Sequence, residues 1–243
     1  GRPVVIAHRG ASAVLPEHTL AAYARAIEDG ADFIEPDLVA TRDGVLVARH
    51  ENEIGGTTDV AQRPDFAARK RRKVIDGEAF EGWFTEDFTL AELKTLRARE
   101  RLPGLRGTAH DGRYEITTLD EIIALASEHA ARTGRRIGLI PEIKHPSHFR
   151  RIGLPMDERL LQALAGHAYT REVPVVIQSF EQANLRELRK HLGPSHRNIR
   201  LLQLLGPADT QPGDALAAGK PTRYADLTTP EGLQDIAGYA DII

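Results

Sequence analysis

The chain has no cysteine among its 243 residues. That removes disulfides, zinc–thiolate sites and cysteine nucleophiles together, while leaving the compartment open, since reduced and disulfide-free exported proteins both fit. Aromatic residues make up only 5% of the chain, which argues against a broad apolar surface for lipid. No apolar run approaches the roughly 18 residues that span a bilayer, so no stable membrane insertion is expected. The opening Gly-Arg-Pro-Val-Val-Ile-Ala has no h-region ahead of it, and any export signal is expected to have been removed or never to have existed. Excess charge is also missing. A net charge of −3 gives no general attraction to nucleic acid or to an acidic membrane, so a charged substrate must be met by a few placed residues.

What is present is a chain 41% hydrophobic, enough for one large core, at the length of about 250 residues that α/β barrels commonly use. Short β-branched or apolar runs fall at residues 4–7, 33–39, 45–48, 137–143, 173–178 and 199–204, with a further one at 241–243. Between them lie helical patterns, such as Leu20, Ala24 and Ile27, or Leu119, Ile122, Ile123 and Leu125. Thr118 with Glu121 three residues on is a capping box. Near-continuous apolar strands alternating with helices predict a parallel sheet covered by helices, as a (β/α)8 barrel or else an open doubly wound sheet. The whole chain, 1–243, reads as one catalytic domain. Residues 51–116 break the rhythm and read as a subdomain inserted after the third strand. Its basic run, residues 69–73, reads as a solvated face balanced by Asp76, Glu78, Glu81, Glu86 and Asp87. Thr229-Pro230-Glu231 marks a helix start. A closed eight-stranded barrel needs more chain than follows it, so the last strand and helix are expected to be missing from 1–243.

The chemistry-bearing residues sit after the strands, where a parallel barrel assembles its active site. His8-Arg9-Gly10 follows the first run, Glu35-Pro36-Asp37 lies in the second, and Arg49-His50-Glu51 follows the third. Glu142-Ile143-Lys144 and Gln178-Ser179-Phe180 come later. Glu35 and Asp37 are two apart and share one side of a strand, with Pro36 ending or bulging the strand between them. Together with Glu142 they form an acidic set that repels itself unless a cation lies among its members. Oxygen ligands suit a hard divalent ion, Ca2+ as the first expectation and Mg2+ as the second. His8 and His50 are the simplest acid and base near neutral pH, and Arg9 with Lys144 matches a phosphoryl group. The set describes phosphoester cleavage. Singly, such residues are ordinary polar features; five strand ends with complementary chemistry are not. His145 and His148 read as loop residues, His110, Asp111, His191 and His196 as surface, and Glu17 with His18 as capping chemistry for the first helix. Gly55-Gly56 does not open a helix, which is poor ground for a phosphate cradle.

Taken in order, His8-Arg9-Gly10, Pro16-Glu17-His18-Thr19, Glu35-Pro36-Asp37, His50, Glu142-Ile143-Lys144 and Gln178-Ser179-Phe180 resemble the glycerophosphodiester phosphodiesterase family across most of the chain. The resemblance implies a (β/α)8 TIM barrel that hydrolyses a small-molecule glycerophosphodiester to sn-glycerol 3-phosphate and an alcohol. It implies metal ligation by Glu35, Asp37 and Glu142, acid–base work by His8 and His50, and phosphate or substrate contacts from Arg9, Lys144, Glu17 and Gln178. In the mechanism it implies, the substrate's own 2-hydroxyl attacks phosphorus and water opens the cyclic phosphate. The insertion and the Pro-Glu-His-Thr wording look most like the periplasmic or secreted branch. Many members carry Asn in place of His18 and Asp in place of Glu51. The alternative is a related barrel phosphodiesterase acting on lipid headgroups, phospholipase D-like or phosphoinositide phospholipase-like; a third reading is a phosphodiester-binding protein without turnover. Oligomeric state is not readable from the sequence.

Overall fold

A strand at Ile6–His8 (β1) and a helix at Leu20–Glu28 (α1) open the chain in the computed structural model, which describes residues 2–243. The next apolar run is written as two strands, β2 (Phe33–Glu35) and β3 (Asp37–Ala40), because Pro36 has no N–H to continue the ladder. The chain nevertheless stays extended, and the Pro36 carbonyl accepts the Glu142 N–H at 2.9 Å. β4 (Leu46–Ala48) then pairs antiparallel with β3. The parallel third strand expected from the sequence is therefore a hairpin return. Residues 41–45 are too few for a crossover, which takes about a dozen residues or more.

Residues 51–116 hold a two-stranded hairpin, β5 (Arg71–Ile75) and β6 (Glu78–Gly82), and short helices α2 (Leu90–Leu93) and α3 (Pro103–Arg106). The hairpin turns on Asp76-Gly77, both at positive φ, the dipeptide that favours such a turn. Most of the basic run 69–73 is paired in place. Arg69 pairs with Glu92 at 2.6 Å, Lys70 with Glu81 at 3.2 Å and Lys73 with Asp87 at 2.9 Å.

From α4 (Leu119–Thr133) onward strands and helices alternate: β7 (Gly138–Leu139), β8 (Glu142–Ile143), α5 (Pro146–Arg151), α6 (Asp157–Gly166), β9 (Val175–Ser179), α7 (Ala183–Leu192), β10 (Ile199–Gln203), α8 (Gly213–Ala217), α9 (Tyr224–Leu227) and α10 (Pro230–Ala237). The capping box at Thr118 and Glu121 opens α4, and Leu119, Ile122 and Ile123 are buried beneath it. On α1 the buried face is Ala22, Tyr23, Ala26 and Ile27; of the Leu20, Ala24 and Ile27 pattern read from the sequence, Ile27 lies in that face and the other two at its margin.

The main sheet is α/β and curled, with order β1-β2-β7-β9-β8-β3-β4 and β10 beside β9. Every pairing in it is parallel except β3 with β4. β2 continues into β3 and β7 into β8, so the order describes one sheet of broken strands rather than a tangle. Residue 242 joins it by a single parallel bridge to Leu202, where the last apolar run was read. The core packs Ile34, Leu38, Val47, Ile143, Ile177 and Leu201 from the strands against Tyr23, Ile122, Leu160 and Leu188 from the helices. β1 forms a sheet edge and leaves Val4, Val5 and Ile6 half exposed or more.

After β1 the chain turns sharply at Gly10, which has φ of +83° and would place a Cβ 2.8 Å from the Ala22 carbonyl carbon. Gly10→Ala is expected to destabilise the fold by more than about 1 kcal/mol, read as a lower denaturant midpoint with an unchanged slope.

Candidate active site

Strand register sets the site. His8 lies beside Glu35, Asp37 beside Glu142, and Glu142 beside Gln178. These residues thus form a line across the sheet, with Lys144 two positions beyond Glu142 and on the same side. The strand ends read in the sequence converge for this reason. All but His8 in the line are buried, as is Lys144.

Oxygens of Glu35, Asp37 and Glu142 lie within 4.8 Å of one another, a span that two ligands each about 2.4 Å from one Ca2+ can reach. Glu35 accepts the Arg9 N–H at 3.0 Å and the Gln178 amide at 2.8 Å. Glu142 pairs with the Lys144 ammonium at 3.0 Å. Asp37 Oδ2 accepts from His18 Nε2 at 2.8 Å, while Asp37 Oδ1 is buried with no partner. An orphaned carboxylate oxygen facing two more carboxylates is a donor set short of a cation, so the residues fit a hard metal ion. Burial, then the charge of Asp37, pushes Glu35 well above the ordinary carboxylate range. Burial also raises Glu142, with Lys144 opposing and Asp37 adding to the rise. Burial works against ionisation of Asp37 too, but the His18 hydrogen bond and nearby Lys144 keep it ionised.

His18, read from the sequence as capping chemistry, has a different place. The N-cap of α1 is Thr19, and His18 is fully buried at φ of 58°. Burial holds its imidazole toward neutral. With Asp37 ionised, Nε2 carries the proton and Nδ1 accepts from the Tyr23 hydroxyl at 2.6 Å. The chain Tyr23–His18–Asp37 therefore fixes one carboxylate from behind, as partners of metal ligands do. Arg9 also has positive φ, 64°, and its carbonyl accepts the His18 N–H at 3.0 Å. Two non-glycine residues in this sparsely allowed region, bonded to each other, mark a backbone held by its surroundings.

The remaining residues surround this cage. His8 is exposed at the sheet edge, and partial desolvation followed by the Arg9 charge lowers its pKa; the nearby His50 acts in the same direction. His50 Nδ1 donates to Glu51 at 2.5 Å. The β3–β4 hairpin brings it there, since the Arg49 N–H bonds the Asp37 carbonyl at 3.0 Å. Arg9 contacts Glu17 at 3.2 Å and lies 3.6 Å from Asp37. Glu17, expected at the substrate, is engaged by arginines: burial alone would raise it, but hydrogen bonds from Arg101 hold it down to about 2. Arg49 is fully buried and spends its donors on the carbonyls of Ala48, Thr57 and Glu17. His145 bonds Asp76 and His148 bonds Glu86, so both tie α5 to the 51–116 segment, and His148 is buried rather than in a loop. Neither Arg49 nor Arg101 carried a readable signal, because nothing local shows which carbonyls and carboxylates an arginine will reach.

A family model for glycerophosphoryl diester phosphodiesterases matches residues 8–238. The chain belongs to the glycerophosphoryl diester phosphodiesterase family. Among its relatives is a glycerophosphodiester phosphodiesterase of Arabidopsis thaliana, 40% identical over 197 residues, covering 76% of this chain but 52% of the relative. The chain thus spans about half the length of that protein. A Haemophilus influenzae protein of the same name is 30% identical over 253 residues, covering 98% of this chain and 67% of its own length. Of solved structures, a phosphodiesterase of Oleispira antarctica in complex with the product sn-glycerol-3-phosphate aligns at TM-score 0.60 and 22% identity, over 99% of this chain and 83% of that one. The similarity supports the fold, a family TIM barrel of which this curled sheet is the counterpart.

Raised carboxylates favour the folded state below the ordinary carboxylate pKa, and that contribution is lost as pH rises through their raised values. The cation-free protein should therefore weaken toward alkaline pH. A divalent ion must displace protons from Glu35 and Glu142, so its affinity should rise with pH. Titration calorimetry at pH 7 in buffers of different ionisation enthalpy is expected to show net proton release; zero release would contradict the shifted carboxylates.

Proposed function

We propose that this protein hydrolyses glycerophosphodiesters to sn-glycerol 3-phosphate and an alcohol, with a divalent cation as cofactor. The carrying observation is the juxtaposition, along one line of sheet register, of three crowded carboxylates with His8 and Lys144 and, beside them, Arg9 and His50. The names of the relatives support the substrate class, as does the product bound in the Oleispira antarctica phosphodiesterase.

Glu35, Asp37 and Glu142 would hold the cation, a hard oxygen-binding ion, with Ca2+ placed before Mg2+. Once bound, it would supply electrostatic stabilisation of charge developing on the phosphoryl oxygens. Arg9 and Lys144 hold the phosphate from the protein side. His8, kept neutral by partial desolvation and by Arg9, takes the proton from the substrate's 2-hydroxyl as that oxygen attacks phosphorus. His50, backed by Glu51, protonates the departing alkoxide, leaving a cyclic phosphate. In the second half the roles reverse: His50 takes a proton from water, the water oxygen bonds to phosphorus, and His8 returns its proton to the 2-oxygen. The insertion and the Pro16–Thr19 wording are the grounds for placing this activity outside the cytoplasm.

With glycerophosphocholine as substrate, release of sn-glycerol 3-phosphate is expected while intact phospholipids stay untouched. EDTA should abolish it, and add-back of Ca2+, Mg2+ and Mn2+ in turn should name the ion. His8→Ala and His50→Ala are expected to lower kcat by roughly 10²- to 10⁴-fold with metal affinity kept. Glu35→Ala and Asp37→Ala should instead weaken metal binding. Near-normal kcat in either histidine variant would remove the acid–base assignment.

A further inference from the structure

We propose that Arg101, from the 51–116 segment, is a positioning residue that locks the His50 imidazole through Glu51. This deepens the proposed function and rests on it. The guanidinium clamps two carboxylates at once. Its Nε and Nη2 donate to Glu17 at 2.9 and 2.7 Å, and its Nη1 and Nη2 donate to Glu51 at 2.9 and 2.7 Å. Glu51 Oε1, one of the oxygens so held, also accepts the His50 Nδ1 proton at 2.5 Å. Glu17, the other carboxylate, contacts Arg9 at 3.2 Å. One side chain thus reaches the partners of both a proton-transfer histidine and a phosphate-holding arginine. A planar fork with five donors can grip two carboxylates in this way; an ammonium cannot.

The clamp is itself held. The Arg99 N–H bonds the Thr57 carbonyl at 2.8 Å, and Ala98 bridges Thr58. The Asp111 carboxylate accepts the Glu100 N–H at 2.7 Å, and the Glu100 carboxylate accepts the Leu102 N–H at 2.9 Å. Backbone on both sides of Arg101 is therefore pinned. Glu17 is anchored independently, since its carbonyl accepts from the buried Arg49 at 2.7 Å. Burial alone would raise Glu51, yet the hydrogen bonds from His50 and Arg101 hold it down to about 2. It stays an ionised acceptor throughout the working pH range.

The chemical consequence concerns the tautomer. An ionised Glu51 fixed at Nδ1 places the proton of neutral His50 there, so Nε2 is the nitrogen that exchanges a proton with substrate and water. Without Arg101, Glu51 is free to swing and the imidazole to turn. Fewer imidazoles then present the correct nitrogen, a loss in turnover rather than in substrate binding. Outer partners that orient a functional imidazole contribute about 10- to 100-fold.

The test uses the full chain loaded with its activating metal ion. Arg101→Gln is expected to lower kcat on glycerophosphocholine by about 10- to 100-fold with KM changed less. Arg101→Lys should recover little of it, because the double fork is lost. Nitrogen-detected NMR of the imidazoles at a pH where His50 is neutral should show Nδ1–H in the parent and a shift toward Nε2–H in Arg101→Gln, with His50→Ala assigning the signal. A variant that keeps kcat within twofold, or keeps the Nδ1–H tautomer, overturns the proposal, as does a loss confined to thermal stability. If the parent protein releases no glycerol 3-phosphate, the parent reading falls. The tautomer measurement, which needs no turnover, still decides the role of Arg101.

Discussion

Three carboxylates buried within reach of one another are the constraint around which this molecule is arranged. Isolated, each would be driven to the neutral acid by burial. Brought together, they also repel, and the structure shows how the tension is divided. Asp37 keeps its charge because His18 and Lys144 support it, while Glu35 and Glu142 are pushed toward the protonated form. The charged partners nearby, Arg9 and Lys144, are placed where they offset the cage without filling it. Such an arrangement is a poor device for stability and a good one for binding.

Much of this was legible in the sequence, for a definite reason. Strands advertise their ends, and in an α/β sheet the ends are where chemistry collects. His8, Glu35, Asp37, Glu142 and Gln178 could be picked out because register makes neighbours of residues that occupy equivalent positions in successive strands. The direction of β4 was not legible, since an apolar run of this length reads the same in either direction. His50 reaches the site by a route the sequence does not display: a hairpin, rather than a crossover, delivers it. His18 was missed because it stands at a helix start, where short polar residues are common, and no local pattern betrays total burial. Arg49 and Arg101 were missed for a related reason. Their partners lie as far away as residue 17, and long-range ion pairs leave no periodic trace.

The segment 51–116 breaks the strand–helix rhythm, yet it is tied to the sheet face at three places. Lys73, Glu86 and His148 form a buried polar contact with α5. Asp76 meets His145, both at positive φ. Arg101 meets Glu17 and Glu51. The Glu86–His148 contact is buried and the Arg101 fork joins charges of opposite sign, so neither can be half made without cost. Opening the segment would therefore loosen the flank of the site as a unit rather than residue by residue.

The hairpin of β3 and β4 carries a consequence for how this chain can vary in length. Asp37 and His50 are held together at the open end of one short ladder, with Leu38 opposite Ala48 and Ala40 opposite Leu46. Adding or deleting one residue between them would slip that pairing by a step and turn every later side chain to the other face. Loops elsewhere can lengthen with little penalty. Here the number of residues between 37 and 50 is itself a constraint on the site, one that the loop at 41–45 must keep even where its residues change.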